Sequence, residues 1–342
     1  MPGTYAFDRQ GLMAKTTAFR GNKVLLVGDV MLDEYLEGDA ERISPEAPIP
    51  IVKVANTRFL LGGAGNVARN IASLGGQARL VGVRGGDAKG GILESLLAEG
   101  GVASSLASLP RRPTTLKTRV IARNQQMLRI DQEDSAPLAP EETAGLLDAI
   151  RAVIDEYSVL VISDYGKGVV SRELVRGLFA LRDASRSRPR ILVDPKPPNI
   201  PLYGGVFILT PNARETSEAA RLPVKDREQI LAAGRAILQS LRCERLLTTL
   251  GANGMALFLS PQEVWHIPTA AQKVFDVTGA GDTVMATLAL SLASGLDLLD
   301  SCVLANYAAG IVVADIGAGA VSAAALAAAI GKAAEPAISR WA

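Results

Sequence analysis

The chain has 342 residues, which is enough for one large domain or two ordinary ones. Its 36 basic residues against 35 acidic ones leave a formal charge of +1, without the basic excess expected of a nucleic-acid binder. Two cysteines, Cys243 and Cys302, are too few for a disulfide framework or a zinc site, so a reducing cytoplasm fits the composition.

Residues 1–22 form an N-terminal extension that carries Asp8 early and has no unbroken apolar core, so it does not read as a secretory signal. We expect this extension to be partly disordered.

From residue 23 to about residue 335, short apolar runs alternate with helical patterns. The predicted strands cover residues 23–29, 78–83, 158–164, 190–195, 205–212 and 244–251. The predicted helices cover residues 65–74, 88–99, 140–156, 171–185, 212–220 and 225–241. Nearly continuous apolar strands are typical of a parallel sheet covered on both faces. The pattern therefore predicts a doubly wound α/β domain with a mostly parallel sheet and helices on both faces.

Two stretches interrupt this alternation. Residues 37–61 are rich in proline and short extended pieces, and residues 113–134 alternate polar and apolar positions around a turn-like Asn124-Gln125-Gln126. Both follow predicted strand ends, where ligands of α/β sheets gather. We expect them to form a small β-sheet that acts as a lid over an active site. The alternative is surface decoration.

The longest apolar tract, residues 306–331, contains Asp315 and is broken by three glycines: Gly310, Gly317 and Gly319. A membrane-spanning helix would need about 20 mostly apolar residues without an acid in the middle. The tract predicts two buried, alanine-rich helices joined by a glycine loop.

The segment DVTGAGDTVMATLALSLASG places Gly279, Ala280 and Gly281 at the start of an apolar helix. A helix start exposes unpaired N–H groups and the positive end of the helix dipole, so its natural guest is an anion. Asp282 would repel a phosphate there unless it takes a proton from the group that attacks the phosphate. The alternative is that Asp282 only caps the helix.

Other phosphate-binding patterns are weaker. The chain lacks the G-x-x-x-x-G-K-[ST] motif of P-loop proteins. Gly63, Gly65 and Ala68 form a G-x-G-x-x-A pattern, with Asp87 about 20 residues further on, but the pattern follows the irregular stretch rather than the first strand. A dinucleotide site, and with it an oxidoreductase, is therefore disfavoured. Asn66 at a helix start suits hydrogen bonds to polyol hydroxyls.

The segments GGAGNVARN and DVTGAGDTVMATLALSLASG resemble the two signature segments of the ribokinase-like (PfkB) sugar kinases, in the right order. The segments LTPNARET and TTLGANG extend the resemblance over nearly the whole chain. GDVMLDEYLEGDAERISPEAPIPIVKV, SDYGKGVV and VDPKPPN resemble the branch that acts on D-glycero-β-D-manno-heptose 7-phosphate. This implies a cytoplasmic, ATP-dependent kinase that phosphorylates the anomeric hydroxyl to give the 1,7-bisphosphate for the lipopolysaccharide core.

The resemblance also implies residue roles. Asp282 would be the general base, and the backbone N–H groups of Gly279, Ala280 and Gly281 would hold the transferring phosphoryl group. The sugar would be bound by four residues at the first signature and the strand before it: Asp33, Gly62, Gly63 and Asn66. For Asp33 the alternative is a capping acid at a strand end.

The nucleotide side follows the same resemblance. Asn212 and Glu215 match the family's N-x-x-E, which orients Mg²⁺ and phosphates through water, although the same spacing satisfies a helix capping box. Further nucleotide contacts would come from four residues: Thr249, Gly251, Gly254 and Asn306. Asp276 and Thr278 lie where some relatives hold a monovalent cation, which makes K⁺ a possible cofactor.

The substrate's own phosphate needs positive charge away from the anomeric carbon. Lys117, Arg119 and Arg123 occupy alternate positions of a predicted lid strand and would share one face, although such lysines and arginines can also simply blunt a sheet edge. Lys196, at a predicted strand end, is the other candidate phosphate contact, or else a solvated surface lysine.

Several alternatives remain open at the level of sequence. The chain could be another PfkB-type sugar or sugar-phosphate kinase, or a non-catalytic phosphosugar-binding protein on the same fold. Many bacteria fuse the heptose kinase to an adenylyltransferase with an H-x-G-H motif, but His266 is the single histidine, so we expect kinase activity alone. We expect a homodimer through the lid sheets and no nucleic-acid or membrane partner.

Overall fold

The structure is a computed structural model that describes residues 5–123, 125–271, 273, 277–314 and 319–342. Its α-helices are α1 (Arg9–Lys15), α2 (Ala64–Ser73), α3 (Ala88–Glu99), α4 (Pro140–Arg151), α5 (Arg172–Ala184), α6 (Ala213–Ala220), α7 (Arg227–Leu241), α8 (Ala280–Ala293), α9 (Leu298–Val313) and α10 (Ala323–Lys332). Short 3₁₀ helices occupy Thr16–Phe19, Ile154–Glu156, Pro197–Leu202 and Gly251–Asn253.

The strands form two sheets. Their bounds are β1 (Lys23–Gly28), β2 (Val30–Ile43), β3 (Pro50–Gly63), β4 (Gln77–Gly85), β5 (Ala103–Leu109), β6 (Leu116–Ala122), β7 (Gln125–Gln132), β8 (Val159–Ser163), β9 (Arg190–Asp194), β10 (Ile208–Leu209), β11 (Arg245–Thr249), β12 (Met255–Ser260), β13 (Glu263–Ile267) and β14 (Ser339–Arg340).

The main sheet has the order β14-β13-β12-β11-β10-β9-β8-β1-β4-β5 among the described residues. It is parallel from β5 to β11, and β12, β13 and β14 are added antiparallel at one edge. From β1 the chain first builds outward through β4 and β5, and it later returns to the other side of β1 with β8. The carboxyl ends of β1 and β8 therefore form a topological switch point, where α/β sheets bind their ligands.

The central strands are covered on both faces, as their apolar runs predict. In β1, Val24 and Leu26 belong to one apolar cluster, whereas Leu25 and Val27 belong to another, and all four side chains are fully buried. Alternate side chains of a strand point to opposite faces, so the two clusters lie on opposite sides of the sheet. The doubly wound, mostly parallel fold is confirmed.

The predicted boundaries hold best where the apolar pattern is long. The helix predicted at residues 88–99 is α3, and the strand predicted at residues 205–212 shrinks to the two residues of β10. The pattern missed β5 because ASSLASL has no apolar run, which fits its place at the outer edge of the sheet.

The smaller sheet has the strand order β3-β2-β6-β7. β2 pairs antiparallel with β3 and parallel with β6, which brings together the two stretches that sequence analysis assigned to a lid. The sheet begins at Val30 rather than at residue 37, because β2 follows β1 after a single intervening residue, Asp29. The predicted turn falls partly on Asn124, which lies outside the described residues.

The described part of the N-terminal extension packs against the rest of the chain. Asp8 caps α1, Leu12 and Phe19 are buried in the core, and α1 packs against α10. Arg9 donates hydrogen bonds to the carbonyls of Gly331 and Ala333, both at 2.8 Å, at the end of α10. These contacts join the extension to the C-terminal helix, and its predicted partial disorder stays a prediction.

The apolar tract near the C-terminus forms α9 and α10, a pair of helices as predicted. In the part of the chain that the structure describes, no helix is both long and apolar enough to cross a membrane.

Candidate active site

A polar cleft of about 140 Å³ lies at the carboxyl ends of the parallel strands, near the switch point. It is lined by residues from the loops after β8, β9, β10 and β11 and from the start of α8: Tyr165, Asp194, Lys196, Thr210, Asn212, Glu215, Thr249, Gly279, Gly281, Asp282 and Val284. Six of the residues that sequence analysis assigned to catalysis or to phosphate binding are therefore neighbours.

Asp282 occupies the first turn of α8 but does not cap it. The cap residue is Gly279, in the left-handed conformation with φ 77°, and it makes no side-chain capping bond. Asp282 is buried, with 5% of its surface exposed, and its oxygens accept hydrogen bonds from Asn66 at 2.7 Å and from the hydroxyl of Tyr165. The carboxylate thus points away from the helix start toward the residues of the first signature segment.

The surroundings of Asp282 suit a base that works near neutral pH. Burial raises the pKa of Asp282 to about 6, against the hydrogen bonds from Tyr165 and Asn66, which lower it. Asp33 adds to the increase, and Lys196 opposes it. A base with a pKa near the working pH combines availability with proton affinity, which is what general-base catalysis requires.

The start of α8 offers an anion seat beside this base. The first turn of a helix presents unpaired N–H groups, and Gly279 and Gly281 both line the cleft. A Cβ on Gly281 would meet nothing within 4 Å among the described atoms, so a ligand can approach the backbone closely. The helix start and the acid predicted from the sequence therefore lie side by side, as an anion seat next to a base would require.

The loop after β8 is held by a buried carboxylate, Asp29, at the end of β1. Asp29 accepts backbone hydrogen bonds from Tyr165 at 2.8 Å, Lys167 at 3.0 Å and Val169 at 3.1 Å. Burial raises the pKa of Asp29, while these three bonds favour its ionised form. Asp29 thereby fixes the backbone that presents Tyr165 to the cleft.

Asn212 and Glu215 form a reciprocal capping box at the start of α6. The Asn212 side chain accepts from the Glu215 backbone at 2.9 Å, and the Glu215 carboxylate accepts from the Asn212 backbone at 3.0 Å. The other carboxylate oxygen of Glu215 pairs with Lys196 at 2.8 Å. Burial lowers the pKa of Lys196, but the pairing with Glu215 outweighs this and raises it, so the lysine stays charged. The capping role is present, and Glu215 also faces the cleft.

The carboxylates of the cleft could hold a divalent metal ion that keeps its water shell, but they do not surround it as a cage of direct ligands would. Asp194, Glu215 and Asp282 line the cleft, and burial together with Asp282 raises the pKa of Asp194 well above its usual range. Across the described ranges, however, no cluster of three or more acidic, histidine or cysteine side chains has the spacing of a metal site. Magnesium keeps much of its water and is often held by phosphates, which agrees with this geometry.

A larger and mainly apolar cleft of about 430 Å³ adjoins the first, with which it shares Thr249, Gly281 and Val284. Four of the residues that sequence analysis assigned to the nucleotide line it, namely Thr249, Gly251, Gly254 and Asn306, whereas Asn212 and Glu215 line the polar cleft. The Asn306 amide donates to the carbonyl of Pro268 at 2.7 Å, which fixes its orientation. Its volume and apolar lining suit a nucleoside.

The residues assigned to the sugar lie where the lid meets α2. Asp33 on β2 pairs with Arg119 on β6, and a Cβ on Gly62 would come within 2.7 Å of the Asp33 carboxylate. Gly63, with φ 56°, starts α2 and precedes Asn66. Asp33, Asn66 and Asp282 thus lie along one path from the lid to the anion seat.

The lid carries the predicted cationic face in part. In β6, Lys117 and Arg119 alternate with buried residues as expected, and Lys117 pairs with Asp131 at 3.3 Å and Glu133 at 3.5 Å. Arg123 does not belong to this face. It lies beyond the end of the strand with φ 52°, because the chain turns there toward β7.

Two site residues escaped the assignment from sequence. Tyr165 contacts Asp282, and Lys167 pairs with Glu133 at 2.6 Å, next to Lys117. Both lie in SDYGKGVV directly after β8. A glycine-rich stretch at the end of a parallel strand is the signal that could have identified them.

Two further sequence assignments concern Asp87 and Asp276. Asp87, the acid of the dinucleotide alternative, caps α3 through Gly90 and accepts from Thr114, so its carboxylate is used structurally. Asp276, assigned to a monovalent cation together with Thr278, lies outside the described residues.

The pfkB family carbohydrate kinase pattern matches residues 22–325 of the chain. The Bifunctional protein HldE of Rhodospirillum rubrum is 46% identical over 309 residues, which is 90% of this chain and 62% of that protein. The Bifunctional protein HldE of Geobacter sulfurreducens is 42% identical over 299 residues, 87% of this chain and 61% of that protein. The chain therefore spans about three fifths of the length of these curated relatives.

Two solved structures share the fold. Ribokinase of Arabidopsis thaliana, complexed with ribose and ATP, has a TM-score of 0.74 at 20% identity and covers 91% of this chain and 99% of that one. Phosphofructokinase-2 of Escherichia coli, in complex with substrates and products, has a TM-score of 0.75 at 23% identity, and the match covers 91% of this chain and 98% of that one.

Proposed function

The chain belongs to the pfkB family of carbohydrate kinases, and from this premise we propose that it transfers the γ-phosphoryl group of ATP to the anomeric hydroxyl of D-glycero-β-D-manno-heptose 7-phosphate. The product would be the 1,7-bisphosphate, a precursor for the lipopolysaccharide core, made in the cytoplasm where ATP is available. The observation that carries the proposal is the buried Asp282 beside the helix start of α8, in a polar cleft that adjoins the larger cleft assigned to the nucleotide.

The geometry supports a single in-line displacement. ATP would lie in the larger cleft, with its γ-phosphate against the N–H groups of Gly279 and Gly281. The Ala280 N–H, assigned to the same role, donates to the carbonyl of Val277 at 3.3 Å and would have to exchange this partner for the phosphate. The sugar would lie between Asp33 and Asn66, which places its hydroxyl beside Asp282. Asp282 takes the hydroxyl proton, the sugar oxygen bonds to phosphorus, and the bond to ADP breaks.

Magnesium would neutralise charge on the phosphates as the phosphoryl group moves. We assign Glu215 to a water-mediated contact with the ion and Asn212 to orienting the same region, since both face the polar cleft. The K⁺ ion that the family resemblance suggests at Asp276 and Thr278 stays a prediction.

The two candidate sites for the substrate's own phosphate differ in position. Lys196 pairs with Glu215 in the polar cleft, next to the anion seat, so it suits the phosphates of ATP. Lys117 and Arg119 lie on the lid strand that pairs with the strand of Asp33, and Arg119 forms an ion pair with Asp33. We therefore propose that the two lid residues bind the sugar phosphate by charge-assisted hydrogen bonds, exchanging their present carboxylate partners for it.

The outer surface of the lid supports the proposed homodimer. Large apolar side chains are exposed along it: Ile43, Ile49, Val54, Leu128 and Ile130. Exposed apolar surface of this kind commonly marks a protein interface. A second copy of the chain would cover it lid to lid. Light scattering should then give a dimer mass, and replacing Leu128 and Ile130 by Asp should give a monomer.

The test of the proposed function is a coupled assay of ADP release with a panel of free and phosphorylated sugars, with and without Mg²⁺. We expect magnesium-dependent turnover that is highest with the heptose 7-phosphate. Turnover with another sugar alone would support a different branch of the family. Tight binding of phosphosugars without ADP release would instead indicate a binding protein on the same fold.

A further inference from the structure

Tyr165 makes a contact with the proposed base that the proposed reaction does not yet use. Its hydroxyl donates a hydrogen bond to Oδ1 of Asp282, while the Asn66 amide donates to Oδ2 at 2.7 Å. A carboxylate held at both oxygens cannot rotate about its last bond without losing one of the two. Each oxygen can accept a second hydrogen bond, so the substrate hydroxyl can still bind.

We propose that Tyr165 is a positioning residue that orients the Asp282 carboxylate toward the sugar hydroxyl and keeps it ionised at neutral pH. The inference rests on the proposed function, because it needs Asp282 to act as a base. Tyr165 itself would not exchange a proton with the substrate.

The position of Tyr165 is fixed from several sides, as such a role requires. Its backbone N–H donates to Asp29 at 2.8 Å, and the Lys196 ammonium lies 5.2 Å from the centre of its ring. On another side, Gly63 lies so close that a Cβ there would be 3.4 Å from the ring edge. The hydroxyl therefore has one stable direction, toward Asp282.

The charges around Asp282 explain why this hydrogen bond matters. Burial and the carboxylate of Asp33 favour the protonated acid, and Asp194 also lies near enough to influence it. Lys196 and the two hydrogen-bond donors favour the ionised form. Burial, Asp282 and Asp194 raise the pKa of Tyr165 well above its ordinary value, so the phenol remains a donor throughout the working pH range.

Removing the phenol oxygen should thus shift the protonation of Asp282. In Tyr165→Phe, Asp282 loses a hydrogen bond that favours its ionised form, so its pKa rises. We expect the acid limb of the pH profile of kcat to move up by about one pH unit, because the free energy of a hydrogen bond to a charged group corresponds to a pKa shift of about that size. The plateau above this limb should also fall, and KM for ATP should stay near its wild-type value.

Tyr203→Phe is the matched control. Tyr203 is also buried, and its hydroxyl donates at 2.6 Å to a carboxylate, Asp164, rather than to Asp282. It should leave the acid limb in place. A Tyr165→Phe limb that coincides with wild type, or a Tyr203→Phe limb that moves equally, would overturn the proposal.

A second variant covers the case in which Tyr165→Phe does not fold. Site-specific 3-fluorotyrosine at position 165 keeps the shape of the side chain and makes its hydroxyl a stronger donor, so the acid limb should move to lower pH. An unmoved limb would contradict the positioning role. Absence of an acid limb in the wild type, by contrast, would count against Asp282 as the base and hence against the proposed function itself.

Discussion

Asp282→Asn separates catalysis from stability, because the two effects of this change can be worked out independently. The variant keeps the size of the side chain but cannot accept the proton of the sugar hydroxyl. Loss of a positioned general base lowers kcat by on the order of 10² to 10⁴. Binding of ATP should be nearly unaffected, since the larger cleft is lined by other residues.

The stability change follows from the burial of the charge. The pKa of Asp282 is about 6 in the folded chain against an ordinary 3.8, a difference of about 2 units or roughly 3 kcal/mol. Because the folded pKa is the higher one, ionisation of Asp282 reduces stability as pH rises from about 4 through about 6. Asparagine removes this cost, but its NH₂ group faces a donor, either the Tyr165 hydroxyl or the Asn66 amide. The unpaired NH₂ group lowers the free energy of unfolding by about 1–3 kcal/mol.

The two terms nearly cancel, so the variant should melt close to wild type at pH 8 while its turnover collapses. Steady-state ADP release, calorimetric titration with ATP and thermal melting at pH 5 and pH 8 measure the three quantities. Turnover within tenfold of wild type at pH 8 would refute the assignment of Asp282 as the base. A variant that does not fold at pH 8 would refute the stability argument.

Three further predictions concern binding. Glu215→Gln keeps an acceptor for the capping box but loses the negative charge, so we expect a higher magnesium concentration for half-maximal rate; an unchanged magnesium titration would restrict Glu215 to capping. Replacing Lys117 and Arg119 by Ala should raise KM for the sugar phosphate and leave KM for ATP within about twofold. If only Lys196→Ala raises the sugar-phosphate KM, the phosphate is bound at the sheet instead. Gly254→Ala should lower the melting temperature and raise KM for ATP, because φ is 82° and the new Cβ would lie 2.0 Å from a backbone oxygen; a wild-type melting curve and ATP KM would contradict this.

The central fold could be predicted because strands that are buried on both faces consist of nearly continuous apolar residues, which are visible in the sequence. The apolar runs of β1, β8 and β9 and the capped pattern of α3 each satisfy one local rule. β5 does not, since its pairing depends on the neighbouring β4, which supplies hydrogen bonds, rather than on its own composition, and the apolar run at residues 205–212 is longer than the two-residue β10.

The same division applies to the site. The helix start with its nearby acid could be predicted because Gly279 and Asp282 lie within four consecutive residues of one segment. The contact of Tyr165 with Asp282 could not be predicted, because it joins a loop to a helix 117 residues further along the chain and depends on a third, distant group, Asp29. The alternation of polar and apolar residues in the lid strand β6 could be predicted from the sequence. The end of β6 before Arg123 could not, because it depends on where the chain turns.

The most direct test of the central claim is ³¹P NMR of a reaction containing the protein, Mg²⁺, ATP and the heptose 7-phosphate. We expect that the γ-phosphate signal of ATP is lost and that a new sugar phosphate appears with coupling to the anomeric proton, while the original 7-phosphate remains. Phosphate on any other carbon of the heptose, or ATP consumption that yields only inorganic phosphate, would contradict it.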